Sequence, residues 1–206
     1  MSHTGERIAD QNAQAVPTDG NVLLLAPSIG GAERDACLDM LCQHRFETTR
    51  VVHVLYMESA VERYTQIERY CHHHPAESAV IAVGSGGVVG QRGPEPPGEY
   101  FVETVTDAAD LTGLGMALNQ CLTEWDESGA ELALCFDSLS ILLQYAEFER
   151  VFRFLHMLAG KLSEVDATGH FHLDPAAHDE SEIARLTPIF DCVLAVEENG
   201  ERTITE

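Results

Sequence analysis

Short apolar runs of strand length alternate with longer segments of helical periodicity along most of this chain. The run NVLLLA at 21–26 precedes a helical pattern over 31–44, and the run RVVHVLYM at 50–57 precedes a second one, SAVERYTQIERYCHH. Alternation of this kind is typical of parallel strands joined by crossover helices. The sequence therefore predicts an α/β fold with a mostly parallel sheet.

The same patterns predict how the chain is organised. With 206 residues it is long enough to bury the core of one domain. Residues 1–20 are polar and end in the turn-like PTDG, which predicts a flexible N-terminal segment before a single domain over 21–206. The Gly- and Pro-rich segment 85–98 is expected to be a surface loop. The longest helical pattern covers 140–165, and the last residues form a ragged end or a hairpin.

Charge restricts the possible partners. The chain has 34 acidic and 12 basic residues, a formal net charge of -22, and Lys161 as its single lysine. An acidic surface of this kind suits a protein of a halophilic cytoplasm, where salt screens the repulsion. Clustered Lys and Arg that could follow a nucleic acid backbone are missing, so direct nucleic acid binding is not expected. The apolar runs are too short for a membrane span or a secretory signal, which predicts a cytoplasmic protein.

The cysteines lack the pairing motifs of redox or zinc sites. Cys37, Cys42, Cys71, Cys121, Cys135 and Cys192 form no C-x-x-C pair, and several stand in apolar runs. Free cysteine is among the most buried residue types. We expect six buried free thiols in a reducing compartment.

The segment APSIGGAE at 26–33 has the layout of a phosphate-binding loop between a strand and a helix. The usual pattern, G-x-x-x-x-G-K-[ST], needs a lysine for the phosphates and a hydroxyl for magnesium. Aligned on Gly31, those two positions hold Ala32 and Glu33, and a frame moved back to Gly30 is no better. The carboxylate of Glu33 would favour the positive end of the helix dipole, in the place of a phosphate. A vestigial nucleotide site would comprise Ser28, Gly30, Gly31, Ala32, Glu33, Arg34 and Asp137.

Two carboxylates follow predicted strands and are the candidate catalytic residues. Asp137 ends the strand ELALCFD, the place from which an aspartate can hold magnesium. Glu58 in VLYMES could activate a water molecule; the alternative, which we prefer, is a residue at the N-terminus of a helix. Neither motif alone identifies an enzyme.

Five segments together resemble the RecA/KaiC-like P-loop superfamily, and more narrowly a haloarchaeal group of uncharacterised KaiC-like proteins with degenerate nucleotide motifs. The segments are VLLLAPSIGGAERDACLDML, VLYMESAVERY, ADLTGLGMALNQCLTEW, LALCFDSLSILLQYAEFERVFRFLHMLAGKL and ATGHFHLDPAAHDESEIARLTPIFDCVL. The resemblance implies a three-layer core with the sheet between helices. Intact members carry Lys and Thr in the loop, so Ala32 and Glu33 imply loss of ATP hydrolysis.

Two other patterns carry possible chemistry. His170 and His172 stand two apart on a predicted strand and so share one face, with Asp174 in step and His178 shortly after. Imidazoles and a carboxylate arranged in this way could bind zinc or iron; the alternative is histidines that satisfy buried hydrogen bonds. Arg150 and Arg153 could act as arginine fingers in a ring of RecA type, or pair with nearby Glu147 or Glu149.

These observations leave three hypotheses. The first is a non-hydrolysing RecA/KaiC-like domain, without a cofactor, that acts through a protein partner or as a homo-oligomer in signalling or regulation. The second is a nucleotide-binding switch that retains ATP and Mg²⁺ binding. The third is a metal-dependent enzyme built on the cluster of His170, His172, Asp174 and His178.

Overall fold

The computed structural model describes residues 16–17, 19–45, 47–56, 58–71, 75, 77–84 and 99–206. The predicted loop over 85–98 and most of the predicted N-terminal segment lie outside these residues. The strands are β1 (Asn21–Leu25), β2 (Thr49–Leu55), β3 (Glu77–Val83), β4 (Glu99–Val105), β5 (Glu131–Asp137), β6 (Thr168–Leu173), β7 (Cys192–Val196) and β8 (Arg202–Thr205). The α-helices are α1 (Ala32–Cys42), α2 (Ala60–Cys71), α3 (Leu111–Asp126), α4 (Leu139–Tyr145), α5 (Phe148–Glu164) and α6 (Glu180–Leu186).

All strands of the described chain belong to one sheet, in the order β4-β3-β2-β5-β6-β1-β7-β8. Neighbouring strands are parallel from β4 to β7, and β8 pairs antiparallel with β7 as a hairpin. The predicted mostly parallel α/β sheet is confirmed. None of the described helices combines the length and the apolar character needed to cross a membrane.

Helices cover both faces of the sheet and make three layers. On one face, α1 and Ile67 of α2 pack on small and aliphatic side chains of β1, β2 and β5. On the other face, α3, α4 and α5 cover a larger apolar cluster that contains Phe136 and Phe171, whose rings stack at 5.7 Å. Burial of these side chains contributes about 25 cal/mol for each Å² of apolar surface removed from water.

The helical pattern over 140–165 is two helices, not one. Ala146 and Glu147 have extended backbone angles, with φ, ψ of -125°, 146° and -62°, 139°, and they separate α4 from α5. Ala146 is buried in the core cluster, so packing at the bend offsets the hydrogen bonds that a continuous helix would keep.

Two of the six cysteines form a disulfide. Cys42 and Cys71, the last residues of α1 and α2, are bonded, with Cα atoms 5.5 Å apart. The expectation of six free thiols is therefore wrong for this pair. The remaining cysteines, Cys37, Cys121, Cys135 and Cys192, are free and buried as predicted.

Candidate functional site

The carboxyl ends of β1, β5 and β6 meet at one edge of the sheet, because these strands are parallel neighbours. Open parallel sheets bind ligands at this edge. A cavity of about 230 Å³ lies here and is lined by Ser28, Gly31, Glu33, Arg34, Glu58, Arg63, Gln66, Asp137 and His172. Four of the loop residues predicted for the vestigial nucleotide site thus share a cavity with both candidate carboxylates, whereas Gly30 and Ala32 do not line it.

The loop between β1 and α1 turns through its glycines. Gly30 and Gly31 have φ of 106° and 90°, in the left-handed region that favours glycine, and α1 begins at the next residue. The backbone N–H of Ser28 donates to Asp174 Oδ2 at 3.0 Å. A carboxylate of the chain itself therefore uses one of the loop amides that would otherwise be available to an anion.

Arg63 of α2 pairs with both candidate carboxylates. Its side chain is only 2% exposed; Nε lies 2.8 Å from Glu58 Oε2 and Nη2 lies 2.5 Å from Asp137 Oδ2. Gln66 donates a further hydrogen bond to Glu58. Burial raises the pKa of Glu58, and Arg63 opposes that shift. The two carboxylates that were predicted to hold magnesium or activate water are thus already paired with a buried guanidinium.

The sequence patterns missed Arg63, although a signal was present. Arg63 stands four residues before Ile67, so both lie on the side of α2 that faces the sheet, and both are buried. A charged residue in phase with an apolar stripe predicts a buried partner of opposite charge.

Glu33 contacts a histidine. Its Oε1 lies 3.0 Å from Nδ1 of His172, and Asp137 Oδ2 lies 3.8 Å from the same nitrogen. Burial opposes protonation of His172, but Cys37, Asp137 and Glu33 together hold its pKa well above its ordinary value. The side chain of Glu33 is therefore directed into the protein.

A second group of side chains lies next to this cavity, on the face of the sheet that α1 covers. Cys37 Sγ is 3.3 Å from His170 Nε2 and 3.7 Å from Cys135 Sγ, and Cys135 Sγ is 3.7 Å from His172 Nε2. The four ligand-type atoms all lie within 4.8 Å of one another, and all four residues are buried. This Cys37–Cys135–His170–His172 group, which we call the Cys2His2 cluster, has the donor types of a zinc site.

The structure brings together two of the four residues predicted as metal ligands. The rings of His170 and His172 stack with centroids 5.5 Å apart, as their spacing on one strand predicts. Asp174 accepts hydrogen bonds from the backbone N–H groups of Ser28 and Ala176. His178 lies beside Ser140 and Glu182. In the described part of the chain, the groups able to hold a metal include neither Asp174 nor His178.

An apolar groove lies on the opposite side of the molecule, between α3 and α5. Its volume is about 660 Å³, and Leu111, Gly115, Met116, Phe154 and Met157 contribute to its lining.

The basic lining residues of the groove are Arg150, Arg153 and Lys161. Arg150 and Arg153 form no ion pair with any residue that the structure describes. The predicted pairing with Glu147 or Glu149 is not observed among the described residues, and Glu149 binds Arg185 instead.

These features define the chain as a three-layer parallel α/β domain with a polar cavity at the carboxyl edge of its sheet. It belongs to the family of unknown function DUF7504, whose model matches residues 20–196. No curated protein gives a significant sequence match.

Two solved structures from Pyrococcus horikoshii have a similar fold. One, described as a structural study of PH0250 from strain OT3, is 10% identical, with 91% of this chain and 85% of the other covered and a TM-score of 0.57. The other is the uncharacterized protein PH0321 in complex with an unknown peptide; it is 14% identical, with 92% and 84% covered and a TM-score of 0.58. At this identity the similarity concerns the fold.

Proposed function

We propose that this chain is a non-hydrolysing RecA/KaiC-like domain that acts by binding another protein through the α3–α5 groove. A signalling or regulatory role in a halophilic archaeon follows from the fold resemblance and from the acidic composition. The observation that carries the proposal is the groove itself, an apolar surface between two helices with two arginines that pair with none of the described residues.

The polar cavity supports the absence of hydrolysis. The cavity of about 230 Å³ is lined by three carboxylates, those of Glu33, Glu58 and Asp137. The buried cation, Arg63, is already paired with two of them. A triphosphate would meet these negative charges without the lysine that balances it in a phosphate loop. The cavity is therefore a poor site for ATP.

The groove supports a protein partner. Met116 and Met157 are each 71% exposed, and they face an apolar lining that includes Phe154. Exposed apolar surface of this kind marks interaction sites, and methionine suits such sites because its side chain adapts to different partners.

Charge selects the kind of partner. Three of the 12 basic residues in the chain, Arg150, Arg153 and Lys161, line this groove, whereas the formal net charge is -22. The complementary occupant is an amphipathic segment of another protein, with apolar side chains for the groove and carboxylates for the arginines. The complex of PH0321 with an unknown peptide indicates that a protein of this fold can hold a peptide.

A matched pair of peptides and a matched pair of variants test this proposal. The probe is a fluorescein-labelled peptide with leucines at helical spacing and glutamates between them; its control carries lysines in place of the glutamates. We expect the acidic peptide to bind at least about ten times more tightly, a difference of about 1.4 kcal/mol. Fluorescence anisotropy over a range of KCl concentrations measures both dissociation constants.

The variant Met157→Glu places a carboxylate in the groove and should weaken the acidic peptide by about tenfold or more. Ile29→Glu adds the same charge at a residue that is 87% exposed and outside the groove lining, and should leave the affinity unchanged. Equal effects of the two variants, or equal binding of the two peptides, would contradict the proposal. If analytical ultracentrifugation shows a dimer, and Met157→Glu dissociates it, then the groove binds a second copy of this chain. That result would contradict the proposed occupant.

A further inference from the structure

Three elements place the Cys2His2 cluster. Cys135 of β5 and His170 of β6 are partners in the parallel register, so their side chains leave the same face of the sheet side by side. His172 follows two residues later on that face. Cys37 belongs to α1, which packs on this face, and is the fourth residue of the cluster. The four donors are therefore fixed by the sheet register and by one helix contact.

The distances agree with one tetrahedral metal ion. A Zn²⁺ ion with Zn–S of about 2.3 Å and Zn–N of about 2.0–2.1 Å separates two sulfur ligands by about 3.8 Å, and a sulfur from a nitrogen by about 3.5 Å. The two thiols are 3.7 Å apart, two of the four sulfur–nitrogen pairs are at 3.3 and 3.7 Å, and every pair of ligand atoms lies within 4.8 Å. The side chains need little movement to reach the coordination geometry.

The surroundings have the form of an outer coordination shell. Nε2 of His172 faces Cys135, while Nδ1 on the far side of the ring contacts Glu33 at 3.0 Å. A carboxylate on the second ring nitrogen fixes the tautomer and orients the other nitrogen toward a metal. Arg63 Nη1 lies 3.4 Å from Cys37 Sγ and donates to it, as outer-shell groups do to thiolate ligands.

Charge also favours an ion at this place. Two thiolates and two neutral imidazoles balance a divalent cation, so the bound cluster adds no net charge to the interior. Arg63 adds no uncompensated positive charge beside the ion, because it is paired with Glu58 and Asp137. The competing explanation is a hydrogen-bonded cluster of thiols and imidazoles without an ion, in which Glu33 pairs with a protonated His172; the metal content of the protein distinguishes the two.

We propose that Cys37, Cys135, His170 and His172 bind one Zn²⁺ ion, with Glu33 as the outer-shell carboxylate. All four donors are buried, and four protein ligands complete the coordination of a tetrahedral Zn²⁺ ion, so the site is structural and holds no open position for a substrate. Because the ligands bind as thiolates and neutral imidazoles, binding of the ion releases the protons that the ligand atoms carry, and it holds α1 against β5 and β6. This inference is independent of the groove, and either can fail alone.

The first measurement is the metal content of the full chain, expressed without a histidine tag and purified under reducing conditions. We expect close to one zinc ion per chain, and after exchange with Co²⁺ the ligand-field bands of a tetrahedral site together with thiolate-to-cobalt charge transfer. The charge-transfer band reports sulfur ligation in the unmodified protein, so the test does not depend on any variant folding. A metal content well below one ion per chain after reconstitution, without these bands, would overturn the proposal.

Variants then identify the ligands. Cys135→Ser and His170→Gln should lose the tetrahedral cobalt spectrum, whereas Cys121→Ser and His178→Gln, which change a buried thiol and a histidine outside the cluster, should keep it. Glu33→Gln should retain one ion per chain but bind it about 10–100 times more weakly. An unchanged cobalt spectrum in Cys135→Ser, or loss of the spectrum in His178→Gln, would show that other residues hold the ion.

Discussion

Nη2 of Arg63 lies 2.5 Å from Oδ2 of Asp137, so a buried arginine of α2 is paired with the carboxylate that ends β5. The same guanidinium binds Glu58 through Nε. These contacts join α2 to the carboxyl edge of the sheet and bring both carboxylates together in the polar cavity.

Replacement of Arg63 by methionine should destabilise the fold strongly. The change leaves two carboxylates beside a buried apolar side chain, and loss of one partner of a buried ion pair costs about 3–5 kcal/mol. We expect about 3 kcal/mol, at the lower end, because Glu58 and Asp137 are 20% and 28% exposed and can gain water. Urea unfolding measures the difference.

Arg69→Met is the matched control for this change. Arg69 lies on the exposed side of the same helix, so its loss should change the free energy of unfolding by less than about 0.5 kcal/mol. Similar costs for the two substitutions would show that the ion pairs of Arg63 contribute little.

The sequence predicted much of the fold because the signals are local. Strand-sized apolar runs and helical periods fix the order of elements, and that order alone favours a parallel sheet. The break between α4 and α5 was missed because neither Ala146 nor Glu147 is a helix breaker. Tertiary packing at Ala146, which no local pattern encodes, decides the bend.

The site was predictable where its residues share one strand. His170 and His172 were expected on one face because side chains alternate along a strand. Cys135 joins them only through the pairing of β5 with β6, and Cys37 only through the packing of α1 on the sheet. Register and helix placement are long-range properties, so spacing pointed to Asp174 and His178, which are close in sequence, and missed both cysteines.

Gly169 is predicted to tolerate no side chain. A Cβ built there would lie 2.9 Å from atoms of Asn21, Leu162 and Phe171, in the centre of the sheet. Gly169→Ala should cost about 1–3 kcal/mol, as overpacked core positions do. Thermal unfolding followed by circular dichroism provides the measurement.

Gly160→Ala makes the same change where there is room. At this exposed glycine of α5 an added Cβ would meet no atom within 4 Å beyond its chain neighbours and the backbone of its own helix, and alanine favours the helix by about 0.5–1 kcal/mol. We expect the melting temperature to rise slightly. The two substitutions should therefore change the melting temperature in opposite directions. An unchanged melting temperature in Gly169→Ala would refute the predicted clash.

Ser59 and Glu62 form a capping box at the start of α2. The N–H and hydroxyl groups of Ser59 donate to Glu62 Oε2 at 3.0 and 2.8 Å, and the N–H of Glu62 donates to Ser59 Oγ at 3.2 Å. Ser59→Ala should therefore cost about 1 kcal/mol. The measurement is urea unfolding at neutral pH.

The contribution of Glu62 should depend on pH in a defined direction. Hydrogen bonds from Ser59 lower the pKa of Glu62 below its ordinary value, so the unfolded chain binds the proton more readily. The stabilisation is present above the ordinary glutamate pKa of about 4.3 and is lost as the pH falls through the lowered folded-state pKa. Glu62→Gln should then differ from the unmodified protein at pH 7 and converge with it in acid; a gap that widens in acid would contradict this sign.

ATP with Mg²⁺ should not stabilise the protein. A ligand at one hundred times its dissociation constant adds about 2.7 kcal/mol to the free energy of unfolding, which a thermal-shift titration in high salt detects readily. We expect no shift, because Ala32 stands in place of the phosphate-binding lysine, Asp174 uses the amide of Ser28, and Arg63 neutralises Asp137. The nucleotide-switch hypothesis predicts a clear stabilisation under the same conditions. ATP turnover by clean protein that disappears in Asp137→Asn would restore a catalytic role to the cavity.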